Sequence, residues 1–179
     1  MTPRIAVVDD EPRMARVLAM LLGREGYEVE AFEAPDDFLV SFEQQRFDLV
    51  MTDLKMPQMS GIELLEKIRA RDADVPVIVM TAHGTIQTAI EAMKLGAFDY
   101  VLKPFKVQDV IRLLERGLEQ KRLEQENIQL REAVSLYELS EEMAATLELA
   151  DIYQILINAA RQEVGADAAA IWVRKPQIT

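Results

Sequence analysis

The chain has 179 residues, half of them hydrophobic, and its 31 acidic side chains against 20 basic ones give a net charge of −11. Binding to a nucleic-acid backbone needs a basic surface, so we expect that this acidic chain does not bind nucleic acid directly. The absence of Cys and the presence of a single His exclude disulfides, thiol catalysis and multi-histidine metal sites. Because there is neither a signal peptide nor an apolar run long enough to span a membrane, we expect a soluble, cytoplasmic protein without a membrane partner.

The first 105 residues alternate short apolar runs with longer segments of helical spacing. The runs predict buried β-strands at 5–8, 29–32, 48–51, 77–80 and 100–102. Apolar residues in the intervening segments recur at helical spacing, as Ile86, Ile90 and Met93 do, so we expect those faces to pack on the strands. Strands that are apolar on both faces predict an α/β fold, a doubly wound five-stranded parallel sheet with helices on both sides.

The segment 106–146 has a different composition, with no Pro, one Gly and many Glu, Leu, Arg and Gln residues. A heptad pattern fits its middle and predicts a coiled-coil helix that is continuous with the last helix of the α/β domain. We expect this C-terminal helical extension to form a homodimer through Leu123, Asn127, Leu130, Val134 and Tyr137. A long solvated helix packed on its own domain is the alternative.

The last part of the chain predicts one more helix, with Asp151 as its N-cap, and one strand at 168–173. A single strand with one helix cannot bury a core, so we expect either that the chain is a piece of a larger protein or that this tail pairs with another copy. The predicted organisation is an α/β domain at 1–120, a helical linker at 106–146 and an incomplete domain at 147–179.

Polar side chains lie at the ends of the predicted strands, where doubly wound sheets hold their sites. In chain order these residues are Asp9, Asp10, Asp53, Thr81 and Lys103. Converging carboxylates repel one another unless a cation lies between them, and oxygen ligands without His or Cys suit Mg²⁺. Lys103 supplies a positive charge that can hold an anion opposite the metal.

Longer motifs surround these residues. They are VVDDEP at 7–12, TDLKMP at 52–57 with Ser60-Gly61, MTA at 80–82 and DYVLKPF at 99–105. Together they resemble the receiver domain of two-component response regulators over about residues 4–120, most closely its NtrC-like branch. The resemblance implies a flavodoxin-like receiver fold. It also implies that a sensor histidine kinase or a phosphotransfer protein phosphorylates the domain.

The resemblance also implies a role for each residue of the pocket. Asp53 is the phospho-acceptor, and Lys103 and Thr81 contact the phosphoryl group. The metal ligands would be Asp9, which acts chiefly through water, Asp10, Asp53 and the backbone carbonyl of Lys55. The Lys103–Pro104 peptide bond is expected to be cis.

Four positions are expected to control the switch and its lifetime. By the resemblance, Thr81 and Tyr100 form the switch, with Tyr100 swinging inward behind the phosphoryl group. Lys55 and His83 flank the path of the hydrolytic water, and we hypothesise that they set the lifetime of the phosphoryl group. For His83 the alternative is an exposed loop side chain.

The output of such a receiver depends on the segment C-terminal to it. The run 149–173 resembles the opening of a GAF domain, which implies that a dimeric helix relays phosphorylation to a GAF-coupled effector. The alternatives are a structural coiled-coil adapter and a fragment of a sigma-54-type transcriptional regulator, in which phosphorylation is secondary. No Walker loop is present, so we expect no separate enzymatic domain, only self-catalysed phosphoryl transfer and dephosphorylation.

Overall fold

The computed structural model describes residues 2–82, 86–146 and 149–164, together with the single residues 168 and 170. Its strands are β1 (Arg4–Val8), β2 (Glu28–Phe32), β3 (Leu49–Asp53), β4 (Val77–Thr81) and β5 (Asp99–Leu102). Its helices are α1 (Pro12–Arg24), α2 (Pro35–Gln44), α3 (Gly61–Arg71), α4 (Ile86–Lys94), α5 (Val107–Thr146) and α6 (Leu149–Val164). The chain divides into two compact units, Met1–Glu126 and Asn127–Thr179.

All five strands form one parallel sheet in the order β2-β1-β3-β4-β5. Every residue of β3 and β4 is buried, because these strands lie inside the sheet with neighbours on both sides. The predicted five-stranded parallel sheet is confirmed, and each predicted strand lies within two residues of the observed one. The order brings the carboxyl ends of β1, β3 and β4 side by side.

Two apolar clusters fill the two faces of the sheet because successive strand residues point to opposite sides. One cluster joins Val8, Val50 and Val79 to α2 and α3, and the other joins Val7, Met51 and Met80 to α1 and α5. Each of these four helices therefore buries one side against the sheet, as an amphipathic helix does.

The apolar stripe of α4 does not pack as its spacing predicts. Ile86 is 82% exposed, Ile90 49% and Met93 47%, whereas the small Ala92 is the buried residue of this helix. The prediction that this stripe packs on the strands is therefore wrong for these three residues, whereas Leu95, the next apolar residue of the pattern, packs partly buried against the core. Helical spacing identifies an apolar face, but it does not identify what covers that face.

α5 is held against the sheet near the beginning of β3, at the edge opposite the predicted site. A Cβ added to Gly117 would lie 2.9 Å from Leu49 Cδ1, so a side chain there would require the Leu49 side chain to shift. One turn later, Lys121 Nζ donates to the carbonyl oxygens of Phe47 (3.1 Å) and Asp48 (3.4 Å). These contacts anchor the first part of a helix whose bounds confirm the predicted C-terminal helical extension.

In the second unit, the described side chains of the predicted dimer contact are exposed. Leu130 is 67% exposed, Val134 56% and Tyr137 69%.

α6 already begins at Leu149, so the prediction that Asp151 is an N-cap is wrong, and this residue lies in the first turn. Most of the predicted strand at 168–173 lies outside the described residues. None of the helices in the described part of the chain is both long and apolar enough to cross a bilayer.

Candidate functional site

Asp9 directly follows β1, and hydrogen bonds hold both its backbone and its carboxylate. Its backbone N–H donates to the Phe32 carbonyl at 3.0 Å, which ties it to the end of β2. Asp9 Oδ1 accepts the Glu11 N–H at 2.9 Å, immediately before Pro12 begins α1. The residue has no exposed surface, so its charge needs a partner inside the protein.

Asp53 is the last residue of β3 and only 7% exposed. The next residue continues the ladder, because the Leu54 N–H donates to the Met80 carbonyl at 2.7 Å. The chain then turns, and the Lys55 N–H donates back to Asp53 Oδ2 at 3.1 Å. This turn fixes the direction of the carboxylate at the carboxyl edge of the sheet.

The first turn of α3 packs directly behind Asp53. Ser60 and Glu63 form a capping box, in which each side chain accepts the other residue's backbone N–H. A Cβ on Gly61 would lie only 2.2 Å from the Asp53 carbonyl oxygen, so a side chain there requires the backbone to shift. The start of α3 therefore restrains the backbone of Asp53.

Lys103 joins the two buried carboxylates. Its Nζ lies 2.7 Å from Asp9 Oδ2 and 2.8 Å from Asp53 Oδ1, and only 9% of its side chain is exposed. Burial acts to lower the pKa of Lys103, but hydrogen bonds to Asp53 and Asp9 and their negative charges outweigh it and raise that pKa above its usual value. Lys103 therefore carries its charge at neutral pH and holds the two carboxylates together.

The backbone on either side of Lys103 is also fixed. The Lys103 N–H donates to the Thr81 carbonyl at 2.7 Å, which continues the pairing of β4 with β5. The Lys103–Pro104 peptide bond is cis, as expected from the resemblance. The Thr81 side chain is buried at the end of β4. Together with the contacts of Lys103, this position shows that the ends of β1, β3, β4 and β5 meet at one pocket.

The donor chemistry of this pocket fits a magnesium ion. The carboxylates of Asp9 and Asp53 contact the ammonium of Lys103, and Asp10 follows Asp9 directly in the chain. Both oxygens of Asp9 and both oxygens of Asp53 already have a donor within hydrogen-bond distance, and no three acidic or imidazole side chains converge on one metal position within the described residues. Mg²⁺ commonly binds one or two carboxylates and keeps several waters, so Asp10, Asp53 and the Lys55 carbonyl remain the predicted ligands.

The predicted switch and lifetime residues occupy different environments. Tyr100 is 37% exposed, and with Ile86, Ile90 and Met93 it lines a groove of about 450 Å³ beside α4. The side chain of Lys55 is exposed, beside the pocket that its N–H helps to build. His83 lies outside the described residues. The inward position of Tyr100 remains a prediction.

Two features of the site are not apparent from the spacing of its motifs. One is the contact of Gly61 with the Asp53 carbonyl, and the other is Thr52, a buried residue whose Oγ donates to that same carbonyl at 3.1 Å. The motif TDLKMP contains Thr52, but a threonine in a strand is also ordinary core packing. Only the three-dimensional contact distinguishes the two roles.

Comparison with known proteins identifies this arrangement. The family model described as response regulator receiver domain matches residues 5–115. The regulatory protein AtoC of Escherichia coli is 36% identical over 74% of this chain and 29% of its own length. The DNA-binding transcriptional regulator NtrC of Proteus hauseri is 33% identical over 88% of this chain and 33% of its own length. The chain thus spans about a third of these relatives.

Solved structures agree with the sequence comparison. A response regulator receiver domain protein from Clostridium thermocellum superposes with a TM-score of 0.65 at 35% identity, over 68% of this chain and 98% of that one. NtrX from Brucella abortus gives a TM-score of 0.69 at 33% identity, over 73% of this chain and 30% of that one. The chain belongs to the response regulator receiver domain family, with relatives among the NtrC-like regulators of two-component systems.

Proposed function

We propose that this chain is a phospho-acceptor: Asp53 takes a phosphoryl group from a partner histidine kinase or a phosphotransfer protein in a reaction that depends on Mg²⁺. The observation that carries the proposal is the position of Asp53, a nearly buried carboxylate held by the Lys103 ammonium at 2.8 Å. A cation at this distance can neutralise the charge of an incoming phosphoryl group as well as that of the carboxylate that receives it. The cytoplasm is the proposed location of the protein.

The chemistry requires alignment and charge neutralisation rather than a strong base. An Asp53 carboxylate oxygen attacks phosphorus, and the bond from phosphorus to the donor's imidazole nitrogen breaks, leaving its electron pair on that nitrogen. Lys103, already in contact with Asp53 and Asp9, pairs with the phosphoryl oxygens as their charge grows. The Thr81 side chain at the end of β4 donates to one of these oxygens in the phosphorylated state.

A bound Mg²⁺ would add the positive charge that draws the phosphoryl oxygens and the Asp53 carboxylate together. Asp10, Asp53 and the Lys55 carbonyl would hold it, with Asp9 acting through water. The Lys55 N–H keeps Asp53 Oδ2 oriented at 3.1 Å, and the exposed Lys55 side chain can reach over the pocket. On this basis Lys55 limits the access of hydrolytic water, and His83 is proposed to share that role.

The output is proposed to pass through α5. Gly117 and Lys121 fix the first part of this helix to the receiver, and exposed Leu123, Leu130 and Val134 continue along the same helix. We propose that these side chains pair with a second copy in a two-stranded coil and that phosphorylation changes this pairing. The GAF-like segment at 149–173 would then carry the change to an effector.

A transcriptional regulator is a second candidate for the whole protein. Its support is the NtrC relative, whose similarity covers 158 residues and so extends beyond the family match at 5–115. In that case the helical segment joins the receiver to a module that binds nucleic acid, which this acidic chain is not expected to do itself.

Intact-protein mass spectrometry tests the proposed phosphorylation. The chain is incubated with acetyl phosphate, with and without Mg²⁺, and we expect one added phosphoryl group only when the metal is present. Asp53→Asn should abolish the addition, whereas Asp36→Asn, a matched change at an exposed carboxylate in α2, should leave it unchanged. Phosphorylation that persists in Asp53→Asn would overturn the assignment.

Light scattering tests the proposed relay. Solution mass is measured with Mg²⁺ alone and then with beryllofluoride as a mimic of the acyl phosphate. A dimer in either condition supports pairing through α5, and a change of mass between the conditions supports control of pairing by the receiver. A monomer in both conditions would refute the dimeric helix and leave the phosphorylation chemistry intact.

A further inference from the structure

Thr52, the residue before Asp53, places a hydroxyl group inside an apolar face of the sheet. It has no exposed surface, and the strand register sets it between Val8 of β1 and Val79 of β4. A hydroxyl at such a position is unfavourable unless it makes a hydrogen bond. Thr52 Oγ satisfies this requirement by donating to the carbonyl oxygen of Asp53 at 3.1 Å.

The same carbonyl is confined by the start of α3. The backbone of Gly61 approaches it so closely that a Cβ would lie 2.2 Å from the oxygen, and the Gly61 N–H donates to the following carbonyl, that of Leu54, at 2.9 Å. On the other side, the Leu54 N–H donates to the Met80 carbonyl at 2.7 Å. The peptide unit that links Asp53 to Leu54 therefore has little freedom to rotate.

We propose that Thr52 is a positioning residue for phosphoryl transfer, acting through the Asp53 carbonyl to align the Asp53 carboxylate. The inference rests on the proposed function and adds a residue that the receiver motif does not assign a role. Two contacts set the carboxylate itself, Lys103 Nζ at Oδ1 and the Lys55 N–H at Oδ2. The Lys55 contact depends on the peptide that Thr52 holds, because the chain reaches Lys55 through that peptide.

The Thr52 hydroxyl affects the rate of phosphoryl transfer through the alignment of the Asp53 carboxylate. An attacking oxygen must lie close to phosphorus and in line with the leaving group, and small misplacements lower the rate steeply. Loss of the Thr52 bond leaves the Asp53 carbonyl without this donor and lets the peptide tilt. Loss of one such hydrogen bond corresponds to about a tenfold lower rate at saturating donor.

Variants at two positions of β3 separate the hydroxyl from its packing. Thr52→Val keeps the shape and removes the hydroxyl, whereas Thr52→Ser keeps the hydroxyl. Val50→Ala is the matched control, since Val50 is fully buried in the same strand and on the same face but bears no polar group. We expect Thr52→Val to be about tenfold slower, Thr52→Ser to be close to wild type, and Val50→Ala to lower the melting temperature without slowing transfer.

Hydrogen exchange of the Lys55 amide gives a second measurement that does not depend on phosphorylation. This N–H bonds to Asp53 Oδ2, so a displaced carboxylate should make it exchange faster in Thr52→Val and at the normal rate in Thr52→Ser. Unchanged exchange in Thr52→Val would overturn the proposal, and so would equal slowing of transfer by Val50→Ala. If the wild-type chain is not phosphorylated at Asp53, the proposed function fails, while the Lys55 amide still decides whether Thr52 positions the carboxylate.

Discussion

Replacing Lys103 by methionine removes the cation that joins two buried carboxylates. Asp9 has no exposed surface, and the Asp53 side chain keeps 11% of its own, so neither charge can be rehydrated without opening the pocket. Removing one partner of a buried ion pair costs about 3–5 kcal/mol, and the slight exposure of Asp53 favours about 3 kcal/mol. At about 4 °C per kcal/mol for a unit of this size, we expect the melting temperature to fall by about 12 °C.

Thermal and urea denaturation without Mg²⁺, followed by far-ultraviolet circular dichroism, measures this loss. Lys55→Met is the matched control, because its side chain is exposed beside the same pocket, and we expect it to change stability by less than about 0.5 kcal/mol. The double variant Lys103→Met with Asp53→Asn should recover part of the loss by removing one unpaired charge. Equal stability of Lys103→Met and wild type would refute the argument that this ammonium stabilises the pocket.

The pH dependence of the same difference follows from the raised pKa of Lys103. A cation whose folded-state pKa lies above its unfolded value contributes stability that is complete below the unfolded value of 10.5. That contribution is lost as pH rises through the higher folded-state pKa. The stability difference between wild type and Lys103→Met should therefore be constant near neutral pH and should shrink above pH 10.5, whereas a constant difference up to higher pH would contradict it.

Three further predictions concern the backbone and the helical extension. Gly61→Ala should destabilise the receiver by about 2 kcal/mol in urea denaturation, because its Cβ would meet the Asp53 carbonyl at 2.2 Å, whereas Gly23→Ala, with open space in α1, should stabilise it by about 0.5 kcal/mol. Ser60→Ala should cost about 1 kcal/mol in the same assay, because the capping box with Glu63 is lost, and no loss would contradict the cap's role. Asn127→Leu should change the oligomer number or the melting temperature of the extension in light scattering and calorimetry, and no change in either would contradict a coiled coil through that residue.

The sheet and the pocket can be predicted because their signals are local. Each buried strand is a short apolar run, and the residue at its carboxyl end is set by the fold, so the sequence alone predicts that Asp9, Asp53 and Lys103 meet. The structure adds how they meet: Lys103 Nζ lies between the two carboxylates and contacts both. Residue types alone do not determine which pairs form contacts.

The features that cannot be predicted depend on contacts between distant segments or on partners. α4 has the spacing of a packed helix, yet Ile86 and Ile90 are exposed, because periodicity does not specify what covers a face. The close contact of Gly61 with Asp53 also has no local signal, since glycine is equally common in turns. The positions of the extension that are proposed to pair with a second copy, such as Leu130, are exposed in this chain.

Mapping the phosphorylated residue with hydroxylamine tests the central claim most directly. Hydroxylamine converts an acyl phosphate to a hydroxamate, and peptide mass spectrometry then locates the modified side chain. After phosphorylation with acetyl phosphate and Mg²⁺, we predict a hydroxamate at Asp53 and at no other carboxylate. A phosphoryl group that resists hydroxylamine on a serine or threonine, or one located on His83, would contradict the assignment of Asp53 as the phospho-acceptor.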